Sequence, residues 1–179
     1  AAIGLYEMSR RRELGIESTW ADAFGAVRSP AFGAIVALSV VLLALFVLWI
    51  AAADAIYAAT LGPEPPASIE QFAHDVLRTD AGWAMIAIGT AVGFVFAAIV
   101  LAISVVSFPM LLDRDVGLGT AMRTSIAVVA ANKRAMALWG LIVACGLAIG
   151  MLPLFLGLIV VMPVLGHATW HLYRNAVAR

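Results

Sequence analysis

The chain has 179 residues, of which 64% are hydrophobic and only 12% are charged, and its mean hydropathy is +1.02. Soluble domains are nearer half apolar and a quarter charged, so this composition excludes a single water-soluble core and predicts an integral membrane protein. The 11 Lys and Arg residues balance the 11 Asp and Glu residues, which leaves no overall basic field for binding nucleic acid. The single cysteine, Cys145, excludes an intramolecular disulfide and a cysteine metal cluster.

The chain is predicted to begin with a surface helix followed by a long membrane span. Residues 17–29 carry apolar side chains at helical spacing among charged ones, which favours an amphipathic helix in the membrane interface. Pro30 suits the first turn of the next helix. No charge occurs from Ala31 to Ala53, so we interpret residues 30–60 as span one.

Residues 61–80 differ sharply in composition, because they are rich in proline and acidic side chains. They predict an external aqueous loop. Within it, Ser68 and Gln71 have the spacing of a capping box, which favours a short surface helix ending near Leu77.

Residues 81–112 form predicted span two, in which Pro109 is expected to kink or end the helix. Small residues at Gly89, Gly93 and Ala97 lie four apart and predict a face on which another helix can pack closely.

The second half repeats this order. Residues 115–132 predict a second interfacial helix with Leu118, Met122, Ile126 and Val129 on its apolar face. Spans three and four follow at residues 134–152 and 154–174, joined by a tight turn at Pro153. A re-entrant hairpin is the alternative for this pair, although each arm is about long enough to cross. Gly146 and Gly150 predict a second helix-packing face.

The predicted fold class is therefore an all-α polytopic membrane protein: four transmembrane helices in two hairpins, each preceded by an interfacial amphipathic helix. Placing both termini and the connector between spans two and three on one side puts ten of the eleven Lys and Arg residues there, with only Arg78 opposite. Positive residues accumulate on the cytoplasmic side, so the termini are predicted to be cytoplasmic.

Polar residues gather at the predicted cytoplasmic end of span four. His167 and His171 lie one turn apart on one helical face, but a metal site needs three or four ligands and haem needs facing histidines, so no cofactor and no metal is predicted. An interfacial belt is the main interpretation of these histidines, together with Trp170 and Tyr173 and with the Arg174 side chain extending to the interface. A second hypothesis is a polar clasp or partner contact, in which they meet a cluster at the end of span two formed by Asp113, Arg114 and Asp115.

The sequence has no nucleophile with a placed base, no phosphate-binding glycine loop and no paired carboxylates within a span. The protein is therefore predicted not to be an enzyme.

Two passages carry a family resemblance: SFPMLLDRDV at residues 107–116 and LGLIVVMPVLGHATWHLYR at residues 156–174. They resemble the bacterial membrane-protein family known as domain of unknown function 2189, some members of which carry a cytochrome c oxidase subunit label. The resemblance implies a four-span protein of the bacterial inner membrane, and it implies no catalytic residues.

Two main functional hypotheses follow, beside a third in which His167 and His171 would make the protein a haem or metal carrier. The first, which depends mainly on the family label, is a non-catalytic accessory or stabilising subunit of a bacterial respiratory membrane complex, associated with a cytochrome c oxidase. Its partners would be membrane lipids and other integral membrane subunits. The alternative is a small transporter or lipid-binding module built from two parallel hairpins, for which the spans offer few polar groups, chiefly Ser39, Thr90, Ser104 and Cys145.

Overall fold

The computed structural model describes residues 31–177, which form seven α-helices and no β-strand. The helices are α1 (Phe32–Thr60), α2 (Ile69–Arg78), α3 (Asp80–Ser104), α4 (Ser107–Asp113), α5 (Leu118–Ala131), α6 (Lys133–Met151) and α7 (Leu158–Val177). The all-α fold class is thus confirmed. The interfacial helix predicted at residues 17–29 lies outside the described residues.

Three segments of the described chain are long and apolar enough to cross a membrane: Phe32–Thr60, Asp80–Asp113 and Lys133–Met151. At 1.5 Å per residue, α1 alone is about 44 Å long, which exceeds the hydrocarbon thickness of a bilayer. These segments agree with predicted spans one to three. Helix α7 is not among the three; it carries His167, His171 and Arg174 between its middle and its last turn. A fourth span and the two-hairpin arrangement stay predictions.

The connection between α6 and α7 is longer than the tight turn expected at Pro153. It occupies residues 152–157 because Leu154 and Phe155 have left-handed φ angles of 51° and 67°, a conformation that the side chains of L-residues disfavour. Helix α7 therefore begins at Leu158, four residues later than predicted. Leu154 is 86% exposed and Phe155 64%, so the turn presents an apolar surface.

The break between α3 and α4 falls four residues before the proline that was expected to cause it. Pro109 has no N–H with which to bond the carbonyl of Val105, and its ring crowds that carbonyl, so the helix is interrupted at Val105 and Val106. Pro109 itself lies in the first turn of α4, where a missing N–H is tolerated. The backbone N–H of Val106 donates instead to Ser125 Oγ on α5, at 3.2 Å.

Replacing Ser125 with alanine should lower the free energy of unfolding by about 1 kcal/mol, because the N–H of Val106 would lose its partner in a fully buried position. Thermal unfolding in mild detergent would measure the change. Thr120→Ala, at an exposed position of the same helix, is the matched control and should change stability much less. Equal effects of the two substitutions would contradict this role for Ser125.

The described chain divides into two compact units. Residues 31–39 and 101–177 form one of them, and its core joins the start of α1 to α4, α5 and α7 through Leu38, Val106, Leu111, Ala121 and Trp170. Val40–Val100 forms the other unit, which contains most of α1, all of α2 and most of α3.

Candidate functional site

Asp113, the last residue of α4, anchors the polar cluster of the first unit. Its Oδ2 atom accepts a hydrogen bond from the Tyr173 hydroxyl at 2.7 Å, and the same atom lies 3.5 Å from Arg174 Nη1 and 4.0 Å from Arg114 Nε. The Asp113 side chain is 18% exposed, whereas those of Arg174 and Arg114 are 42% and 45% exposed. One carboxylate therefore connects the end of α4 to the last turns of α7.

The position of Asp113 explains why it needs these partners. A carboxylate at the C-terminal end of a helix meets the negative end of the helix dipole, which disfavours the charge. The phenol and the two guanidinium groups offset that repulsion. Arg114 also donates from Nη2 to the carbonyl oxygen of Val177 at 3.3 Å, so it helps to hold the end of α7.

Tyr173 belongs to the buried face of α7, together with Gly166, Thr169 and Trp170. The Trp170 and Tyr173 rings are 5.6 Å apart at 55°, and neither side chain is exposed to solvent. This face packs against the core and brings the Tyr173 hydroxyl to Asp113. Trp170 Nε1 has no hydrogen-bond partner in the structure, which is uncommon for a buried donor.

The predicted site residues are distributed as follows. Asp113 and Arg114 lie in the cluster, while Asp115 is exposed beyond it. On α7, Trp170 is buried, His167 is half-buried and His171 is exposed. The α7 contacts to Asp113 described above come from Tyr173 and Arg174, so pairing of Asp113 or Arg114 with His167 or His171 stays a prediction.

The sequence assigned Tyr173 and Arg174 to the predicted interfacial belt and not to the predicted polar clasp. A usable signal was present, because Gly166, Thr169, Trp170 and Tyr173 recur at the spacing of a single helical face. That spacing places Tyr173 beside Trp170, on the packed side of α7.

Within residues 31–177, no three His, Cys, Asp or Glu side chains converge in a way that could hold a metal ion. Cys145, on α6, is exposed. The cluster around Asp113 contains one carboxylate, one phenol and guanidinium groups, and such a set can brace two helices and bind an anion weakly, but it contains no activated nucleophile.

The glycines of the second packing motif lie where α6 meets α7. A β-carbon at Gly146 would lie 3.5 Å from Val161 Cγ1, and one at Gly150 would lie 2.7 Å from Leu158 Cδ2. Gly157, in the connection just before α7, is also crowded, because its β-carbon would lie 2.9 Å from Gly150 Cα. The absence of side chains lets the two helices approach at this end.

The first packing motif borders a groove in the second unit. Gly93, Phe96, Ala97 and Val100 of α3 form one wall, and Leu42, Leu45, Phe46 and Trp49 of α1 form the other. The groove is open, is almost entirely apolar and has a volume of about 490 Å³. A β-carbon at Gly93 would lie 3.8 Å from Trp49 Nε1, whereas Gly89, one turn away, faces open space.

Comparison with known families identifies residues 1–113 with a family described as predicted integral membrane protein, DUF2189. The chain belongs to this family. The match includes α1 to α4 and ends at Asp113, so it contains the groove of the second unit and the carboxylate of the cluster. Comparison with curated proteins and with solved structures gave no match.

Membership of the DUF2189 family agrees with the membrane class that composition predicted. Of the two passages that carried the resemblance, residues 107–116 lie mostly within the matched region, and residues 156–174 lie outside it. The Asp113 cluster therefore joins a residue of the family region to two α7 residues beyond it.

Proposed function

We propose that this DUF2189 protein is a non-catalytic integral membrane subunit that stabilises a larger complex by packing against a transmembrane helix of a partner. The observation that carries the proposal is the groove between α1 and α3, which has Gly93 in its α3 wall. Small residues at a membrane-facing groove allow a second helix backbone to approach, and van der Waals packing then drives association. The partner would be a respiratory membrane complex, and the oxidase label in the family favours a cytochrome c oxidase.

We place the protein in the bacterial inner membrane with both termini on the cytoplasmic side, because the connector and terminal segments hold nearly all the Lys and Arg residues. The cluster at Asp113 would then lie at the cytoplasmic end of the helices, where it would keep α4 and α7 in register while the groove contacts the partner.

Replacing Gly93 with leucine should reduce copurification of the partner about tenfold, because the new side chain fills the groove near Trp49. Gly89→Leu, one turn earlier on α3 at a position with open space, is the matched control and should leave copurification unchanged. Quantitative mass spectrometry after extraction in mild detergent measures both. If the two variants retain the partner equally, the groove is not the contact.

A lipid-binding module is the second candidate, favoured by the same groove because its lining is apolar. A photo-crosslinking phenylalanine analogue at Phe96, which lines the groove, can be compared with one at Phe94, which is 73% exposed and does not line it. A protein adduct formed only from position 96 supports the subunit proposal. A lipid adduct formed only from position 96 supports the lipid-binding module and overturns the first proposal.

A further inference from the structure

Helix α2 carries an apolar face, although it belongs to a segment that was predicted to be an aqueous loop. In Ile69–Arg78 the apolar side chains occur at the spacing i, i+3, i+4, i+7 and i+8, and they comprise Ile69, Phe72, Ala73, Val76 and Leu77. The polar residues occupy the opposite face: Glu70, Gln71, His74, Asp75 and Arg78. The helix is therefore amphipathic along its whole length.

The apolar face of α2 is not covered by protein. Ile69 is 89% exposed, Leu77 is 56% exposed and Phe72 is 38% exposed, and no residue of the helix is fully buried. An amphipathic helix normally buries this face against a core or a membrane surface. In α2, only Phe72 has an aromatic neighbour, with its ring 6.4 Å from that of Tyr57.

Contacts at the C-terminal end of α2 and in the loop before the helix hold it beside two spans. Thr79, between α2 and α3, accepts a hydrogen bond at Oγ1 from Gly82 N at 3.0 Å and donates one to the carbonyl oxygen of Asp75. Gly82 approaches the carbonyl oxygens of Asp75 and Val76 so closely that a β-carbon would collide with them. On the other side, the Tyr57 hydroxyl donates to the carbonyl oxygen of Glu64 at 3.0 Å.

The same end of these spans has the aromatic residues of a membrane interface. Tyr57 lies in the last turn of α1, and Trp83, in the first turn of α3, is 59% exposed. Tyrosine and tryptophan concentrate at the headgroup level of bilayers, because their rings are apolar and their tips are polar. The ends of both spans therefore place α2 at headgroup depth.

We propose that α2 lies in the membrane interface, with Ile69, Phe72 and Leu77 inserted at the boundary of headgroups and acyl chains. The occupant of its apolar face is thus a lipid surface. The polar face carries Glu70, Asp75 and Arg78 together with His74, which lies 3.5 Å from Asp75, so it offers little attraction to anionic headgroups. Apolar burial holds the helix in the interface, and added salt leaves it in place.

Spin labels on α2 in lipid nanodiscs test this arrangement. Cys145 is first replaced with alanine, and single cysteines are introduced as Ile69→Cys and Leu77→Cys on the apolar face and as Glu70→Cys and His74→Cys on the polar face. All four residues are exposed, so the labels disturb no core packing. Collision with oxygen reports contact with lipid, and collision with a water-soluble nickel chelate reports contact with water.

We expect the oxygen-to-nickel collision ratio to be several-fold higher at positions 69 and 77 than at positions 70 and 74, and unchanged between low and high salt. High nickel collision at all four positions would place α2 in water and overturn the proposal. Exclusion of both reagents at positions 69 and 77 would show that protein covers this face, which also overturns it. Loss of the partner after Gly93→Leu leaves these ratios unaffected, so the two proposals fail independently.

Discussion

Replacing Asp113 with alanine is expected to lower the free energy of unfolding by about 2 to 3 kcal/mol, one of the two largest effects we predict for a single substitution. The substitution removes the acceptor of a 2.7 Å hydrogen bond and leaves the fully buried Tyr173 side chain with an unsatisfied hydroxyl. It also removes the polar contacts that join the end of α4 to Tyr173 and Arg174 of α7. The guanidinium contacts add little to this figure, because Arg114 and Arg174 are more than a third exposed.

Graded variants separate the hydrogen bond from the charge. Asp113→Asn keeps an oxygen acceptor for Tyr173 and should cost less than Asp113→Ala, whereas Tyr173→Phe removes the donor and should cost about 1 to 2 kcal/mol. Asp115→Ala is the matched control, since it removes an exposed carboxylate two residues away. Unfolding followed by circular dichroism in mild detergent provides the measurement. If Asp113→Ala and Asp115→Ala behave alike, the cluster has no role in stability.

The second large effect is expected from Gly157→Ala, which should lower the free energy of unfolding by about 1 to 3 kcal/mol. The new β-carbon would lie 2.9 Å from both Cα and the carbonyl oxygen of Gly150, and these are backbone atoms that cannot rotate away. The end of α6 and the start of α7 would have to move apart where Gly150 and Gly157 meet. Alanine also lowers the conformational entropy of the unfolded chain, which favours folding, but this stabilisation is too small to reverse the loss.

The matched control for this substitution is Gly119→Ala in α5, where a β-carbon meets nothing within 4 Å. Alanine is the better helix former, so this variant should be neutral or more stable by up to about 1 kcal/mol. Opposite signs for the two glycine-to-alanine changes are the expected result. A neutral or stabilising effect at both positions would mean that the crowding at Gly157 is relieved without cost.

Much of the helical framework could be predicted from the sequence, because long uncharged runs in this chain have one physical solution. The runs that begin after Pro30 and Asp80 cannot remain in water, and a helix satisfies their backbone groups within the bilayer. The start of α6 at Lys133 likewise agrees with the predicted start of span three at residue 134.

The details that failed depend on tertiary packing. The side of α5 that packs against the core consists of the small residues Ala121 and Ser125, which no apolar pattern singles out, whereas Ile126 of the predicted interfacial face is 46% exposed, so that face stays a prediction. The late start of α7 depends on left-handed backbone at Leu154 and Phe155, for which leucine and phenylalanine give no signal.

The candidate site was only partly predictable for a related reason. Charge and position indicated Asp113 and Arg114 as cluster members, but the sequence could not select their partner among the polar residues at the end of α7. Tyr173 lies on the same packed face of α7 as Trp170. The packing of that face directs the Tyr173 phenol, and not a neighbouring side chain, toward Asp113 of α4.

The apolar turn between α6 and α7 has a consequence for how the protein enters the membrane. No Lys, Arg, Asp or Glu occurs from Ala135 to Tyr173, so if the predicted fourth span forms, the pair α6 and α7 enters the bilayer without carrying any of these residues through hydrocarbon. In the proposed topology the segment between α1 and α3 differs, because Glu64, Glu70 and Asp75 would lie on the side of the membrane opposite the termini. Insertion of the first pair would then require charged residues to be moved across the bilayer, whereas insertion of the second pair would not.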